Sequence, residues 1–418
     1  MALTPDQAKI IKATVPILVE HGMTITTRFY SNMLRENPEL NNVFNKANQF
    51  NGHQPKSLAM ALHAYASNID DLGVLSPTVE LICQKHASLY IRPEQYNIVG
   101  TYLLAAMKEI LGDALTPEIH DAWAAAYWQL ANLMIGKEEE LYKSADGWTD
   151  WREFKIDRKE NESDEITSFY LVPVDGKPLP SFKPGQYISV QTEVPEFGHL
   201  QARQYSLSEA PRSDYYRISV KREDGLNMKD PTAVAHPGYI SNLLHKNKQV
   251  GDVLGVSHPF GDFFYESAAT PASAPIVFLS AGVGLTCLLS IFNSLSAGEK
   301  ASHPITWVQA SRTTGARAFA DHVRSAAKQS PGVVKPVFFV SQPVDGETEG
   351  KQFDFRGRLD LARLDKDAHL FVGVKETQYF VCGPAQFMVD MQKGLKSLGV
   401  DESRVHLELF GTGGVPKA

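Results

Sequence analysis

Residues 1–145 carry no strand alternation, and prolines stand where helices begin. Thr4-Pro5-Asp6-Gln7 reads as a helix start, with Thr4 as the cap, Pro5 in the first turn and Gln7 completing a capping box. Ile10, Ile11, Thr14, Ile17 and Leu18 follow at helical spacing, and His21-Gly22 is expected to end that helix. A second helix is expected through Phe29, Tyr30, Met33 and Leu34, stopping before Pro38. Ser76-Pro77, Arg92-Pro93 and Thr116-Pro117-Glu118 open further helices. A helical third of this kind folds by packing apolar faces on one another. An all-α domain of five or more amphipathic helices is therefore predicted.

Helical periodicity stops at residues 147–151, a short polar stretch containing Gly147. Phe169-Tyr170-Leu171-Val172, Tyr187-Ile188-Ser189-Val190-Gln191 and Tyr216-Arg217-Ile218-Ser219-Val220 read as strands, with Pro173, Pro178, Pro180 and Pro184-Gly185 between them. Short strands with frequent turn signals predict a small antiparallel barrel. The pattern changes again at Ile276-Val277-Phe278-Leu279-Ser280, a buried strand that runs into Ala281-Gly282-Val283-Gly284-Leu285-Thr286 and an apolar helix. Further strands at Ile305-Thr306-Trp307-Val308, Val337-Phe338-Phe339-Val340 and Tyr379-Phe380-Val381-Cys382 alternate with helical patterns, which predicts a parallel α/β sheet. A chain of 418 residues is too long for one core, and the divisions are expected at 1–146, 147–267 and 268–418.

Charge narrows the function classes. The 41 basic against 48 acidic residues give a net charge of -7, which argues against nucleic acid as the main partner and for a soluble protein. Cys83, Cys287 and Cys382 are too widely spaced for a disulfide framework or a zinc pattern, so a reducing compartment is expected. The N-terminus shows no export or organelle signal, no apolar run is long enough to span a bilayer, and Pro416-Lys417-Ala418 is not a peroxisomal address. A cytoplasmic protein, monomeric and without a transmembrane segment, is the expectation.

Three stretches suggest chemistry. In Arg203-Gln204-Tyr205-Ser206, a strand would point Arg203 and Tyr205 to one side, placing a phosphate clamp beside an aromatic platform. That arrangement suits a flavin nucleotide, although an ordinary half-buried strand would read the same. The strand, Gly-rich turn and helix around Gly282 and Gly284 place a helix N-terminus against a diphosphate. Cys382-Gly383-Pro384 ends a strand at the carboxyl edge, where such sheets bind ligands. In the helical third, His86 lies in a helix rich in apolar contacts, where a lone histidine is usually a surface or core residue. Gln54 and Leu58 share a helix face. Tyr30, Tyr96 and Glu138 read equally well as packed aromatics and a helix-surface acid.

Taken together, Asn37-Pro38-Glu39-Leu40, Val43-Phe44-Asn45, Gln54, Lys85-His86 and Pro93-Glu94-Gln95-Tyr96-Asn97-Ile98-Val99-Gly100 resemble the flavohaemoglobin family. Pro184-Gly185-Gln186-Tyr187, Arg203-Gln204-Tyr205-Ser206, Val220-Lys221-Arg222-Glu223, His236-Pro237-Gly238-Tyr239-Ile240-Ser241 and Pro259-Phe260-Gly261-Asp262-Phe263 resemble the flavin side of the ferredoxin-reductase-like superfamily. The resemblance runs over essentially the whole chain. It implies a globin domain, an antiparallel β-barrel FAD domain and an α/β parallel-sheet NAD(P)-binding domain.

By that resemblance His86 is the proximal ligand of haem b, with Tyr96 and Glu138 as its hydrogen-bonding partners and Lys85 beside it influencing redox poise. Tyr30 and Gln54 match the distal pair that hydrogen-bonds an oxygen ligand, Leu58 restricts access and Phe44 wedges the haem. Tyr187, Arg203, Gln204, Tyr205, Ser206, Lys221, Gly238 and Ser241 match the FAD site. Gly282, Val283, Gly284, Leu285, Thr286 and Cys287, with Cys382, Gly383 and Pro384, match the nicotinamide site. Glu408, Leu409, Phe410, Gly411 and Thr412 form the C-terminal strand end, where an aromatic covers the flavin and the acid tunes it. One departure is Cys287, where the family usually carries Pro. Ser311-Arg312, with Arg317, matches a pair that recognises the 2′-phosphate of NADPH in related reductases, so NADPH is expected beside NADH. No role is assigned to residues 224–237, a loop extension.

The implied activity is a nitric oxide dioxygenase that removes nitric oxide as nitrate, using dioxygen and NAD(P)H. Two other classes fit the same motifs: an oxygen or nitric oxide sensor or carrier with a resetting reductase, and an NAD(P)H-dependent peroxide reductase.

Overall fold

The computed structural model describes residues 3–225, 238–267, 270, 271, 273–296 and 303–411, apart from the side chain of Phe50. Two compact units partition the chain. One comprises Met1–Arg152, Ser189–Gln204 and Gly255–Asp262, the other Glu153–Ile188, Tyr205–Leu254 and Phe263–Ala418.

The first unit opens with helices α1 (Pro5–Ala13), α2 (Val15–Glu36), α3 (Lys46–Phe50), α4 (His53–Ser67), α5 (Ser76–Ala87), α6 (Pro93–Leu111) and α7 (Pro117–Ser144). The proline signals hold: Pro5, Pro77, Pro93 and Pro117 all lie in first turns, and Thr4 and Gln7 form the expected capping box. The expected break at His21-Gly22 is wrong. The chain breaks at Thr14, ahead of Pro16, and α2 continues through Gly22. Gly22 faces α4, where a Cβ on it would meet the Ala59 methyl at 3.5 Å, an ordinary contact. Ile11, Leu18, Ile25, Phe29, Met33 and Leu103 fill one buried cluster, and Val79, Cys83, Ile91, Tyr96 and Met134 fill a second.

After the helices come β1 (Arg152–Asn161), β2 (Ile166–Pro173), β3 (Tyr187–Val194), β4 (His199–Ser206), β5 (Tyr216–Lys221), α8 (Tyr239–Lys246) and β6 (Val253–Val256). The strands form one antiparallel sheet in the order β4-β3-β6-β1-β2-β5. Just past β4 the chain pairs with β5 through Leu207 and Ile218, and the Ser208 amide donates to the Arg217 carbonyl at 2.9 Å. The first and last strands of the order therefore meet, and the sheet closes as the expected barrel.

The remaining elements are β7 (Ile276–Ala281), α9 (Leu285–Ser296), β8 (Ile305–Ser311), α10 (Ala320–Gln329), β9 (Val334–Val340), β10 (Phe355–Arg356), β11 (Gln378–Cys382), α11 (Ala385–Ser397) and β12 (Val405–Glu408). Their strands run parallel in the order β10-β9-β8-β7-β11-β12. Alternate residues of β7 bury on opposite faces: Ile276 and Phe278 pack with α9, Val277 and Leu279 with Met388 and Leu395 of α11. Burial on both faces explains the unbroken apolar run. The order reverses between β7 and β11, which makes their carboxyl ends the ligand-binding crevice of such a sheet. No described helix is long and apolar enough to cross a membrane.

Candidate functional site

On α5, Val79, Cys83 and Ala87 recur every fourth residue and are buried, and the Cys83 thiol reaches the Met134 carbonyl of α7 at 3.8 Å. That buried row turns one face of α5 toward α7. Tyr96 comes from the first turn of α6 and Glu138 from the last third of α7. The three side chains form a triangle. His86 Nδ1 lies 3.0 Å from the Tyr96 hydroxyl and 2.9 Å from Glu138 Oε1, and the hydroxyl donates to that same oxygen at 2.6 Å. Burial, followed by the charge of Glu138 and its hydrogen bond, drives the Tyr96 pKa far above its ordinary value. Tyr96 thus donates to Glu138, and the Tyr96 hydroxyl and Glu138 Oε1 both present oxygen lone pairs to His86 Nδ1. This holds the proton on Nδ1 and leaves the Nε2 lone pair for a metal. Among the described residues no group of three His, Cys, Asp or Glu could hold a bare ion. A single imidazole donor suits an iron that brings its other ligands, as haem does.

Tyr30 lies in the other helical cluster. Its ring packs edge-on against Phe29 at 4.6 Å and Phe44 at 5.6 Å, and Leu58 borders the same cluster. Burial pushes its hydroxyl pKa well up, and Gln54 is its hydrogen-bonding partner. The hydroxyl therefore remains protonated and can donate. Thr26 on α2 donates to the Pro55 carbonyl at 2.9 Å, which pins the first turn of α4 and places Gln54 beside Tyr30. The successive residues Val43 and Phe44 divide between the two clusters, Val43 with Tyr96 and Phe44 with Tyr30.

Several polar partners of the segment around His86 carry no sequence signal. Ser88 Oγ receives hydrogen bonds from Ser189 Oγ at 3.0 Å and Gln204 Nε2 at 3.3 Å, and donates to the Lys85 carbonyl at 2.8 Å. Gln84 Oε1 accepts from the Gly261 amide at 2.9 Å, and the Tyr90 hydroxyl from the His258 amide at 2.9 Å. Lys85 is close enough to Asp262 to oppose the rise in its pKa that burial causes. The chain flanking His86 is thus tied to residues of β3, β4 and the segment after β6. A serine two residues after a histidine gives no sequence signal for partners so far along the chain.

Tyr187 and Ser206 are buried, Arg203 and Tyr205 half-buried, and Gln204 faces outward from β4. Arg203 also donates to the Ala202 carbonyl at 2.6 Å. Gly238 caps α8. A Cβ there would lie 2.6 Å from Ser241 Oγ and 2.9 Å from Glu223 Cβ, so a side chain at this position would clash. Lys221 Nζ stands 3.6 Å from Glu165 Oε2. His236 and Pro237 lie outside the described residues, as does all but the start of the 224–237 loop.

At the crevice of the parallel sheet, Gly282 takes φ +58° and leads into the turn Gly282–Gly284 before α9. A Cβ on Gly284 would fall 2.3 Å from the Cys382 carbonyl oxygen and 2.7 Å from the Gly383 amide, so only glycine fits. Val283 packs against the cluster that holds Leu285 and Cys287, and Thr286 is buried. Cys382 pairs with Ser280 on one side and Glu408 on the other, and Pro384 caps α11. Burial first, then interaction with the Cys287 thiol and the charge of Glu408, raise the Cys382 pKa well above the ordinary thiol value. Cys287, the departure from the usual Pro, is fully buried and donates to the Gly284 carbonyl at 3.5 Å. The thiol thus stabilises the turn that a proline would otherwise preset. Leu409 borders the core, Phe410 is 43% exposed, Gly411 is exposed, and Thr412 lies outside the described residues. Arg312, just past β8, is ion-paired with Glu165.

A family model described as Globin matches residues 27–134, and one described as Oxidoreductase NAD-binding domain matches residues 278–393. The chain is 46% identical over 418 residues to a flavohemoprotein of Bordetella parapertussis, covering 99% of this chain and 100% of that protein. It is 43% identical over 413 residues to a flavohemoprotein of Rhizobium meliloti, covering 98% of each. The crystal structure of the flavohemoglobin of Malassezia yamatoensis with bound FAD and heme is similar at a TM-score of 0.84 and 28% identity, covering 98% of this chain and 100% of that one. The FAD/NAD-binding domain of a nitric oxide dioxygenase from Vibrio cholerae is similar at a TM-score of 0.53 and 33% identity, covering 63% of this chain and 99% of that one.

Proposed function

The chain belongs to the flavohemoprotein family, and we propose that it is a nitric oxide dioxygenase that converts nitric oxide and dioxygen to nitrate with NAD(P)H. When bound, the nicotinamide would supply one hydride, FAD would pass on its two electrons singly, and haem b would carry the oxygen chemistry. His86 would hold the iron through the Nε2 lone pair that its Nδ1 contacts leave free. Tyr187, Arg203, Gln204, Tyr205, Ser206, Lys221, Gly238 and Ser241 would hold the flavin. The turn from Gly282 to Cys287, with Cys382, Gly383 and Pro384, holds the nicotinamide. The domains divide at 1–146, 147–267 and 268–418, and the protein works as a cytoplasmic monomer.

The observation that carries this reading is the triangle of His86, Tyr96 and Glu138. A buried carboxylate on Nδ1 makes the imidazole a stronger electron donor, which favours oxygen activation over reversible carriage. Tyr30 and Gln54 supply a protonated hydroxyl and an amide to orient the oxygen ligand. The test is nitric oxide decay at an electrode, with purified holoenzyme and NADH or NADPH, with and without dioxygen. Sustained decay that needs both dioxygen and a nicotinamide is expected. Loss of a single equivalent would instead indicate a sensor or carrier.

A further inference from the structure

We infer that Glu165 sets the choice between NADH and NADPH by competing for Arg312. The inference rests on the reading that the parallel sheet binds the nicotinamide cofactor. Strands β7 and β8 are paired with Ala281 opposite Ala310, so Arg312 leaves β8 just beyond the level where β7 enters its glycine turn. In sheets of this kind, the group that reads the ribose 2′ position stands near there. An acid serves a hydroxyl, and an arginine serves a phosphate.

By sequence the position is an arginine, which reads as a phosphate site. The fold brings an acid to it from far upstream. Glu165, in the turn between β1 and β2, ion-pairs with Arg312 Nη2 through one oxygen and faces Lys221 Nζ at 3.6 Å with the other. Its backbone is fixed as well: the Glu165 carbonyl accepts from the Arg222 amide at 2.8 Å, and its own amide donates to Ser163 Oγ at 3.3 Å. The Glu165 side chain is 22% exposed against 50% for Arg312, so the acid is the better-held partner. The neighbouring Asp164 amide donates to the Gly315 carbonyl at 2.9 Å, which ties this acidic turn to the loop after β8. Glu347 takes the hydroxyl of Thr314 in that loop. The second arginine offered by the sequence is turned away, since Arg317 donates to the Gln352 carbonyl at 3.0 Å and lies over the Phe338 ring at 4.6 Å.

A 2′-phosphate arriving here must part Arg312 from Glu165 and then share the site with that carboxylate. A ribose 2′-hydroxyl meets no such repulsion and can donate to Glu165. The pair therefore admits both cofactors while favouring NADH, and the carboxylate is the element that disfavours the phosphate.

The experiment follows flavin reduction in the anaerobic holoenzyme with NADH and with NADPH, a readout independent of any reaction with nitric oxide. Glu165→Gln is expected to shift the kcat/KM ratio toward NADPH by about tenfold, as removal of one close like charge would. Arg312→Gln is expected to lower NADPH efficiency, and Glu165→Gln is expected to shift the ratio less in that background, since the competition for Arg312 is gone and only direct repulsion remains. If Arg312→Gln weakens NADPH but Glu165→Gln leaves the ratio unchanged, Glu165 plays no part and the inference fails while the cofactor site stands. If neither substitution moves the ratio, Arg312 does not face the ribose and the site assignment fails with it. A shift of equal size in both backgrounds would also overturn the inference, since Glu165 would then act without Arg312.

Discussion

Glu138 Oε1 accepts the Tyr96 hydroxyl at 2.6 Å, and Glu138 is only 2% exposed. A buried carboxylate is costly unless it is hydrogen-bonded. Here the same oxygen also faces His86 Nδ1, so the acid that Tyr96 secures is the one that polarises the imidazole.

Glu138→Gln keeps the shape and removes the charge. The hydrogen bond on Nδ1 becomes neutral and weaker. The haem midpoint potential should rise and nitric oxide turnover should fall by roughly 10–100-fold, the range for partners of metal ligands. Potentiometric titration with parallel turnover assays checks this. A midpoint equal to that of the parent protein would refute the positioning role.

Tyr30→Phe removes a donor whose proton burial retains. Dioxygen should dissociate from the reduced protein about tenfold faster, the worth of one hydrogen bond. Stopped-flow displacement measures it, and an unchanged off-rate would rule out the hydroxyl as the oxygen contact.

Gly284→Ala puts a methyl where backbone atoms of Cys382 and Gly383 already stand. Overpacking of this kind costs about 1–3 kcal/mol. Flavin reduction by NAD(P)H should slow sharply while the haem spectrum stays that of the parent. Normal reduction kinetics would show that the turn has room the geometry denies.

His406 stacks on Phe380 at 4.7 Å and its Nε2 meets Gln378 Oε1 at 2.8 Å. Burial lowers its pKa below the ordinary histidine value. A depressed pKa means that protonation favours the unfolded chain. The stabilisation from neutral His406 is thus present above the unfolded value and lost as pH falls through the folded one. The Tm difference between the parent and His406→Gln should shrink between about pH 7.5 and about pH 5.5. A difference that widens on acidification would reverse the sign argued here.

Cys382 is fully buried and its thiol is held well above the ordinary value. Thiolate is the reactive form. Iodoacetamide should label Cys382 slowly in the folded protein and readily after denaturation, as read by mass spectrometry. Rapid labelling of the native protein would contradict the burial of this strand end.

Much of the fold was legible because its signals are local. Pro77, Pro93 and Pro117 start helices for reasons contained within one turn, and the runs at Tyr216 and Ile276 declare strands by their own composition. The misplaced break at His21-Gly22 shows where local reading stops. A glycine that ends helices in isolation was kept inside α2, against Ala59 of another helix.

The sequence by itself determined the order of the three structural classes, the glycine turn before α9 and the residue types of the candidate sites. It could do so because capping, periodicity and turn chemistry act over a few residues. Only the tertiary structure decided which groups act on one another. Glu138 reaches His86 across 52 residues, Gln204 meets Ser88 across 116, and Glu165 pairs with Arg312 across 147. Charge and hydrogen bonding depend on distance in space, and separations of that length along a chain acquire a distance only when the chain has packed.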